Sequence, residues 1–243
     1  MPERPPTSSA RQRRVLALAY VIAIWIAAAD LLWPQNIAVL YVVPLLLITF
    51  SGSPSSVSRA VKWFVLLNYA GYFVKNTIAP PFPEESYFDF RLVNRTILAG
   101  TLFVMGRALQ NWMIWKREQA DPELPAAFKN QDREIGETLA ILCCAPLILA
   151  IAAIDFLAPA NYNIAILYPV PLFICVWTRS RWLPWAMLAA LLVLTAAAFT
   201  LGPASTWPGS EFELAKNRML AVICMVAVTA FLASTHRERV ASL

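Results

Sequence analysis

The chain contains one histidine, His236, close to its C-terminal end. Bis-histidine haem, a zinc triad and a histidine-dependent catalytic triad are thereby excluded. Glycine is also scarce, seven in 243 residues, and neither GxGxxG nor GxxxxGK[ST] occurs. Phosphate-cradling loops therefore have no basis in this sequence. Cysteine is confined to Cys143, Cys144, Cys175 and Cys224, with no CxxC spacing. Soft sulfur suits Cu(I), and Met219 and Met225 stand near Cys224 in sequence. Thiols so spaced nevertheless read as small buried apolar groups, with neither a metal site nor a disulfide expected. Charge is the last thing in short supply, at 14% of residues.

Apolar residues fill the space that charge leaves, at 59%, and the mean hydropathy is +0.57. A water-soluble domain of this length cannot hide so much apolar surface, which makes lipid the expected solvent. Eight apolar stretches are legible: Val15–Leu32, Ile37–Phe50, Val61–Ala79, Leu92–Trp115, Ile135–Leu157, Ile164–Thr178, Trp182–Leu201 and Leu214–Ser234. Most approach the ~20 residues that cross a hydrocarbon core. The second and sixth are short and enclose Pro44 and Pro171.

The eight stretches are four, read twice. Pro34, Asn36, Ile37, Leu40, Tyr41, Pro44 and Leu45 return as Pro159, Asn163, Ile164, Leu167, Tyr168, Pro171 and Leu172. Asp30 returns as Asp155, and Asn94-Arg95 as Asn217-Arg218. Polar residues kept in both copies are the first candidates for function. The expected fold is therefore an all-α membrane protein of eight transmembrane helices in two parallel four-helix repeats. Residues 1–115 form the first unit, 116–134 a cytoplasmic linker with Pro122 and Pro125, and 135–243 the second unit.

Orientation follows from the basic residues. Arg4, Arg11, Arg13 and Arg14 precede the first stretch, Lys116, Arg117, Lys129 and Arg133 lie in the linker, and Arg179, Arg181, Arg237 and Arg239 lie on the same side. The opposite side carries Glu84, Glu85, Asp89, Glu211 and Glu213, with only Arg91 and Lys216 to balance them. The positive-inside rule then places both termini in the cytoplasm, and units that begin and end on one side are parallel. The pI near 9.2 follows from this topology, and no nucleic-acid partner is implied. The N-terminal basic cluster and apolar run imitate a cleavable signal, but Asp30 repeats as Asp155, so the first stretch is read as a retained span. Tryptophans including Trp33, Trp207, Trp63, Trp112, Trp115, Trp182 and Trp185 read as interfacial anchors.

Charges inside a bilayer cost about 2.5–3.5 kcal/mol each on insertion scales, so their placement is informative. Asp30, Tyr41 and Arg95 fall roughly 3–8 Å below the outer boundary at helical rise, and Asp155, Tyr168 and Arg218 fall at the same depth. Asp30 is expected to pair with Arg95 and Asp155 with Arg218. Asn36, Asn94, Asn163 and Asn217 would take the remaining hydrogen bonds. Pro44 and Pro171 would kink the short helices and free the carbonyls of Leu40 and Leu167, with Pro169 freeing Ala165 as well. Two compatible readings of this layer stand open: it locks four helices together, or it lines an outward-facing pocket for a small molecule or lipid headgroup. The copies differ at Lys75, Asn76 and Asn68, which align with Ala198, Phe199 and Leu191. The extra cation favours an anionic ligand in the first copy; alternatively Lys75 snorkels to the headgroups.

An aspartate, a proline-bounded turn, Leu-Tyr-x-x-Pro-Leu and an Asn-Arg pair opening the last span form a pattern carried by Asp30, Pro34, Tyr41, Pro44, Asn94 and Arg95. Asp155, Pro159, Tyr168, Pro171, Asn217 and Arg218 carry it again. This pattern resembles the four-helix N-terminal membrane sensor region of some bacterial sensor histidine kinases and PAS-containing signalling proteins. The resemblance implies a ligand-binding sensory role in the bacterial inner membrane. In that family the fourth helix continues into a cytoplasmic output domain, whereas this sequence stops at Leu243, so the signal would pass to a separate membrane or cytoplasmic protein. The expected function is a non-enzymatic sensory or ligand-binding module among membrane lipids, with no cofactor and no catalytic residue. Its ligand-binding residues would be Asp30, Tyr41, Lys75, Asn94, Arg95, Asp155, Tyr168, Asn217 and Arg218. A small transporter is the alternative, since parallel repeats and broken helices suit alternating access; Asp30-dependent accumulation in liposomes marks that case. A lipid-modifying enzyme is the weaker alternative, because only the aspartates and tyrosines offer reactive groups.

Overall fold

The computed structural model describes residues 7–32, 37–50, 53–78, 90–120, 136–157, 164–178, 180–201 and 210–241. They are helical almost throughout, with no strand among them. In chain order these are α1 (Thr7–Leu32), a 3₁₀ segment (Ile37–Tyr41) leading into α2 (Val42–Thr49), α3 (Pro54–Ile78) and α4 (Phe90–Ala120). Then follow α5 (Glu137–Leu157), 3₁₀ segments Ile164–Leu167 and Phe173–Trp177 flanking a single α-turn α6 (Pro169–Leu172), α7 (Leu183–Leu201) and α8 (Ser210–Ala241).

Five segments are long and apolar enough to cross a bilayer: Gln12–Leu32, Arg91–Glu118, Glu137–Leu157, Leu183–Leu201 and Ala215–Thr235. The other three of the eight expected spans fall short, each for its own reason. Helix α3 has the length, 25 residues, but Arg59, Lys62, Asn68, Lys75 and Asn76 dilute its apolar character. It also begins at Pro54, ahead of the expected Val61. Proline fits a first helical position, and the Ser53 carbonyl accepts the N–H groups of Ser56 and Val57.

The segments Ile37–Thr49 and Ile164–Trp177 are too short for a regular α-helical crossing. Their 3₁₀ stretches partly compensate, because that helix rises about 2.0 Å per residue against 1.5 Å. The two then reach roughly 22 and 24 Å by those rises. The prolines explain the switch. Pro44 lies in the first turn of α2, where an N–H would lack an intrahelical partner anyway. The expected open carbonyl at Ala165 is corrected: it accepts the Tyr168 N–H at 3.2 Å, closing the 3₁₀ turn.

Helix α3 packs along the length of α4, and α7 packs likewise on α8. Gly106 allows the first of these approaches, since a Cβ there would overlap the Val61 side chain. Helix α1 lies against α2 and α3 through the inward row Ala19, Ala23, Ile26 and Asp30. Small inward residues let helix axes come close, the device that replaces hydrophobic drive within lipid. Helix α5 lies against α6 and α7 in the same way.

Each short segment also contacts a helix of the other half of the sequence. Ile37–Thr49 contacts α8, and Ile164–Trp177 contacts α4. The Cys224 thiol donates to the Val39 carbonyl at 3.4 Å, and the Phe231 ring meets Phe50 and Trp112 edge-on, both at 5.6 Å between centroids. Trp112 and Trp115 are thus core residues, a correction to their reading as interfacial anchors. Trp63, Trp182 and Trp185 are exposed, as anchors should be, and Trp33 and Trp207 lie outside the described residues.

Candidate functional site

Asp30 lies in the last turn of α1 and is the only acid of that helix, and its carboxylate is almost fully buried. Three groups from three elements converge on it. Arg95 of α4 donates from Nη2 to Oδ2 at 2.6 Å. The Ile37 backbone N–H, opening the 3₁₀ segment, donates to Oδ1 at 3.2 Å. The Lys75 ammonium of α3 stands 3.6 Å from the same Oδ1. A buried carboxylate needs such a shell, because an unmatched buried charge is far costlier than a matched one.

Arg95 engages the acid with one nitrogen because the other is held elsewhere. Its Nη1 donates to Asn68 Oδ1 at 3.0 Å, while Asn68 Nδ2 donates to the Arg95 carbonyl at 2.9 Å. Asn68 is itself fully buried. Gly71, one turn along α3, lets that helix lie against the pair: a Cβ there would stand 2.9 Å from Asp30 Oδ2. Lys75 follows one further turn along the same face and is the accessible member. Its side chain is 18% exposed, against 3% for Asp30 and 4% for Arg95.

The second constellation is built from the matching residues and closed differently. Arg218 grips Asp155 with both guanidinium ends: Nη2 donates to Oδ1 at 2.9 Å and Nη1 to Oδ2. Tyr168 adds its hydroxyl to Oδ2 at 2.9 Å. A bidentate arginine on carboxylate is the stronger geometry, and no cation from α7 joins it, since Ala198 stands where the first site has Lys75.

Both expected ion pairs are thus formed, and two expected partners are placed otherwise. Tyr41 does not hydrogen-bond Asp30 as Tyr168 does Asp155; its ring is buried and stacked on Phe64 of α3, centroids 5.2 Å apart at 14°. In the first site the Ile37 N–H and Lys75 stand on Oδ1, the oxygen that Arg95 does not use. Asn217 does not complete the second pair: its Oδ1 is buried with no hydrogen-bond partner among the described residues. Asn94 is half-buried beside Arg95 on α4, and Asn36 and Asn163 lie outside the described residues.

Sequence reasoning missed Gly71 and Ile37, and noticed Asn68 only as a difference between halves. The signal was present: Asn68, Gly71 and Lys75 follow one another at helical spacing, and their counterparts are Leu191, Leu194 and Ala198. Among the described residues no group of three metal-ligating side chains occurs. Cys144 donates to the Pro171 carbonyl at 3.5 Å, and all four cysteines are free thiols. Comparison with protein-family models, curated proteins and solved structures finds no match.

Proposed function

We propose that the chain is an integral membrane sensory or ligand-binding module of a bacterial inner membrane. It is built from eight helical segments in two parallel four-helix repeats, with both termini cytoplasmic. The first repeat takes a small anionic ligand near the periplasmic face, and the signal passes to a separate protein. The repeat reading is supported by the doubled sequence and by the matching contacts of α1 with α2 and α3, and of α5 with α6 and α7.

One contrast carries the ligand assignment. Asp155 is saturated by a bidentate arginine and a tyrosine, whereas Asp30 is held by single contacts and flanked by a partly exposed lysine at 3.6 Å. A direct ammonium–carboxylate hydrogen bond is nearer 2.8 Å, so the Lys75 contact is the loose one. An arriving anion draws Lys75 toward itself while Arg95 and the Ile37 N–H keep Asp30 neutralised. The charge exchange needs no buried group to be left unmatched, which keeps its cost low. Because Asp30 and Arg95 sit on α1 and α4, a shift of Lys75 changes the force between α3 and those helices. The second repeat serves as the fixed member of the pair.

The test is thermal unfolding in detergent with phosphate, sulfate and a series of small carboxylates. At least one of these should stabilise the parent protein and leave the Lys75→Ala protein unmoved. Equal stabilisation of both proteins by the same anion removes the assignment of Lys75.

A further inference from the structure

The outward face of α4 carries a polar pair that lipid contact does not explain. Arg107 and Asn111 are one helical turn apart and both exposed, and among the described residues neither has a hydrogen bond or ion pair. Thr96, Gly100, Phe103 and Ile114 complete the same face, opposite the buried row Leu98, Leu102, Met105 and Leu109. Nothing lies within 4 Å of where a Gly100 Cβ would stand.

The chain supplies its own control. The alignment that pairs Arg95 with Arg218 pairs Thr96, Gly100, Phe103 and Arg107 with Met219, Ile223, Val226 and Ala230 of α8. Those four are exposed and apolar, with Met219 64% exposed, as a lipid-facing surface should be. Asn111 pairs with Ser234, which is partly buried and bonded to the Phe231 carbonyl at 2.7 Å. The face of α4 therefore departs from its counterpart by gaining small and polar residues. Arg107 lies twelve residues from Arg95 and nine from Lys116, so about 18 and 14 Å from those ends at helical rise. A charge at that depth is costly against acyl chains.

We propose that this face of α4 is the contact between two copies of the chain, related by a twofold axis along the membrane normal. Two copies inserted in the same direction present identical faces, as an isologous interface requires. Arg107 and Asn111 are self-complementary in that arrangement. An arginine side chain is long enough to cover the one helical turn, about 6 Å, that separates it in depth from the partner copy's Asn111 amide oxygen, and symmetry makes the bond twice. Thr96 and Gly100, four residues apart, let the backbones approach above this polar contact. The exposed acids of the five apolar spans, Glu118 and Glu137, stand at span ends, Glu118 about 16 Å along α4 from Arg107 at helical rise, while Asp30 and Asp155 are buried in their own pairs. The inference is independent of the ligand-site reading and rests on α4 alone.

Energy transfer between donor- and acceptor-labelled chains, reconstituted in liposomes and followed through dilution with lipid, tests it. The parent chain should associate as a dimer, and Arg107→Leu, Asn111→Leu and Gly100→Leu should each raise the dissociation constant roughly tenfold. Met219→Ala on α8 should leave it unchanged. Helicity of each variant, and a melting temperature in dilute detergent no lower than the parent's, should show that the fold is kept, because the altered positions are exposed. A monomer at every dilution overturns the proposal, as does association that these α4 variants leave intact. Association that follows anionic-lipid content and is indifferent to Asn111→Leu also overturns it, and assigns Arg107 to lipid phosphates.

Discussion

Asn68 holds Arg95 at two points, taking Nη1 on its amide oxygen at 3.0 Å and donating its amide to the Arg95 carbonyl at 2.9 Å. This clamp fixes a guanidinium that would otherwise be free to turn both nitrogens onto Asp30. The second half has Leu191 in that place, and there the guanidinium does turn fully onto its acid. One amide thus decides whether the ion pair is shared or closed.

Asn68→Leu should accordingly let Arg95 adopt the bidentate grip seen at Asp155. The gain is offset by loss of the two Asn68 hydrogen bonds, each worth about 0.5–1.5 kcal/mol net, with the Arg95 carbonyl keeping its intrahelical donor. The expected net result is a modestly less stable protein whose Lys75 is released from the carboxylate. Unfolding in detergent measures the first effect, and faster reaction of Lys75 with an amine-directed label measures the second.

The closed pair in the second half behaves as a lock. Arg218→Leu leaves Asp155 buried with Tyr168 alone and should cost about 3–5 kcal/mol, the usual penalty for halving a buried pair. Adding Asp155→Leu to that variant should recover most of the loss, since two apolar groups leave no buried charge. Chemical unfolding of the single and double variants checks the order.

The glycines should divide by what surrounds them. Gly106→Ala overlaps Val61 and Gly71→Ala sets a methyl 2.9 Å from Asp30 Oδ2, so each should destabilise by about 1–3 kcal/mol as an overpacked contact does. Gly100→Ala meets open space and should be neutral or stabilising by up to about 1 kcal/mol, the helix-propensity difference. Melting temperatures of the three variants, measured in dilute detergent, give the comparison.

Much of the architecture was legible because bilayers constrain composition strongly. Apolar runs marked the helices, and opposite charges at equal depth marked the two ion pairs before any geometry was known. What stayed hidden depended on rotation about a helix axis and on backbone groups, neither of which a repeat comparison reports. Tyr41 and Tyr168 occupy equal positions, yet only Tyr168 hydrogen-bonds its aspartate, the Tyr41 ring being stacked on Phe64. Trp112 and Trp115 read as interfacial from their place near basic residues, but they face inward against Phe231 and the core. Arg107 drew no notice at all, since one charge inside a long apolar run leaves the run recognisable.

The central assignment is best tested by native mass spectrometry of the chain released gently from its membrane, with Lys75→Ala and Ala198→Lys alongside. The parent should carry one small anion per chain, and Lys75→Ala should lose it. Ala198→Lys should still carry only one, because the bidentate pair at Asp155 leaves its acid no loose contact to exchange. An anion retained at full occupancy in Lys75→Ala contradicts the assignment outright.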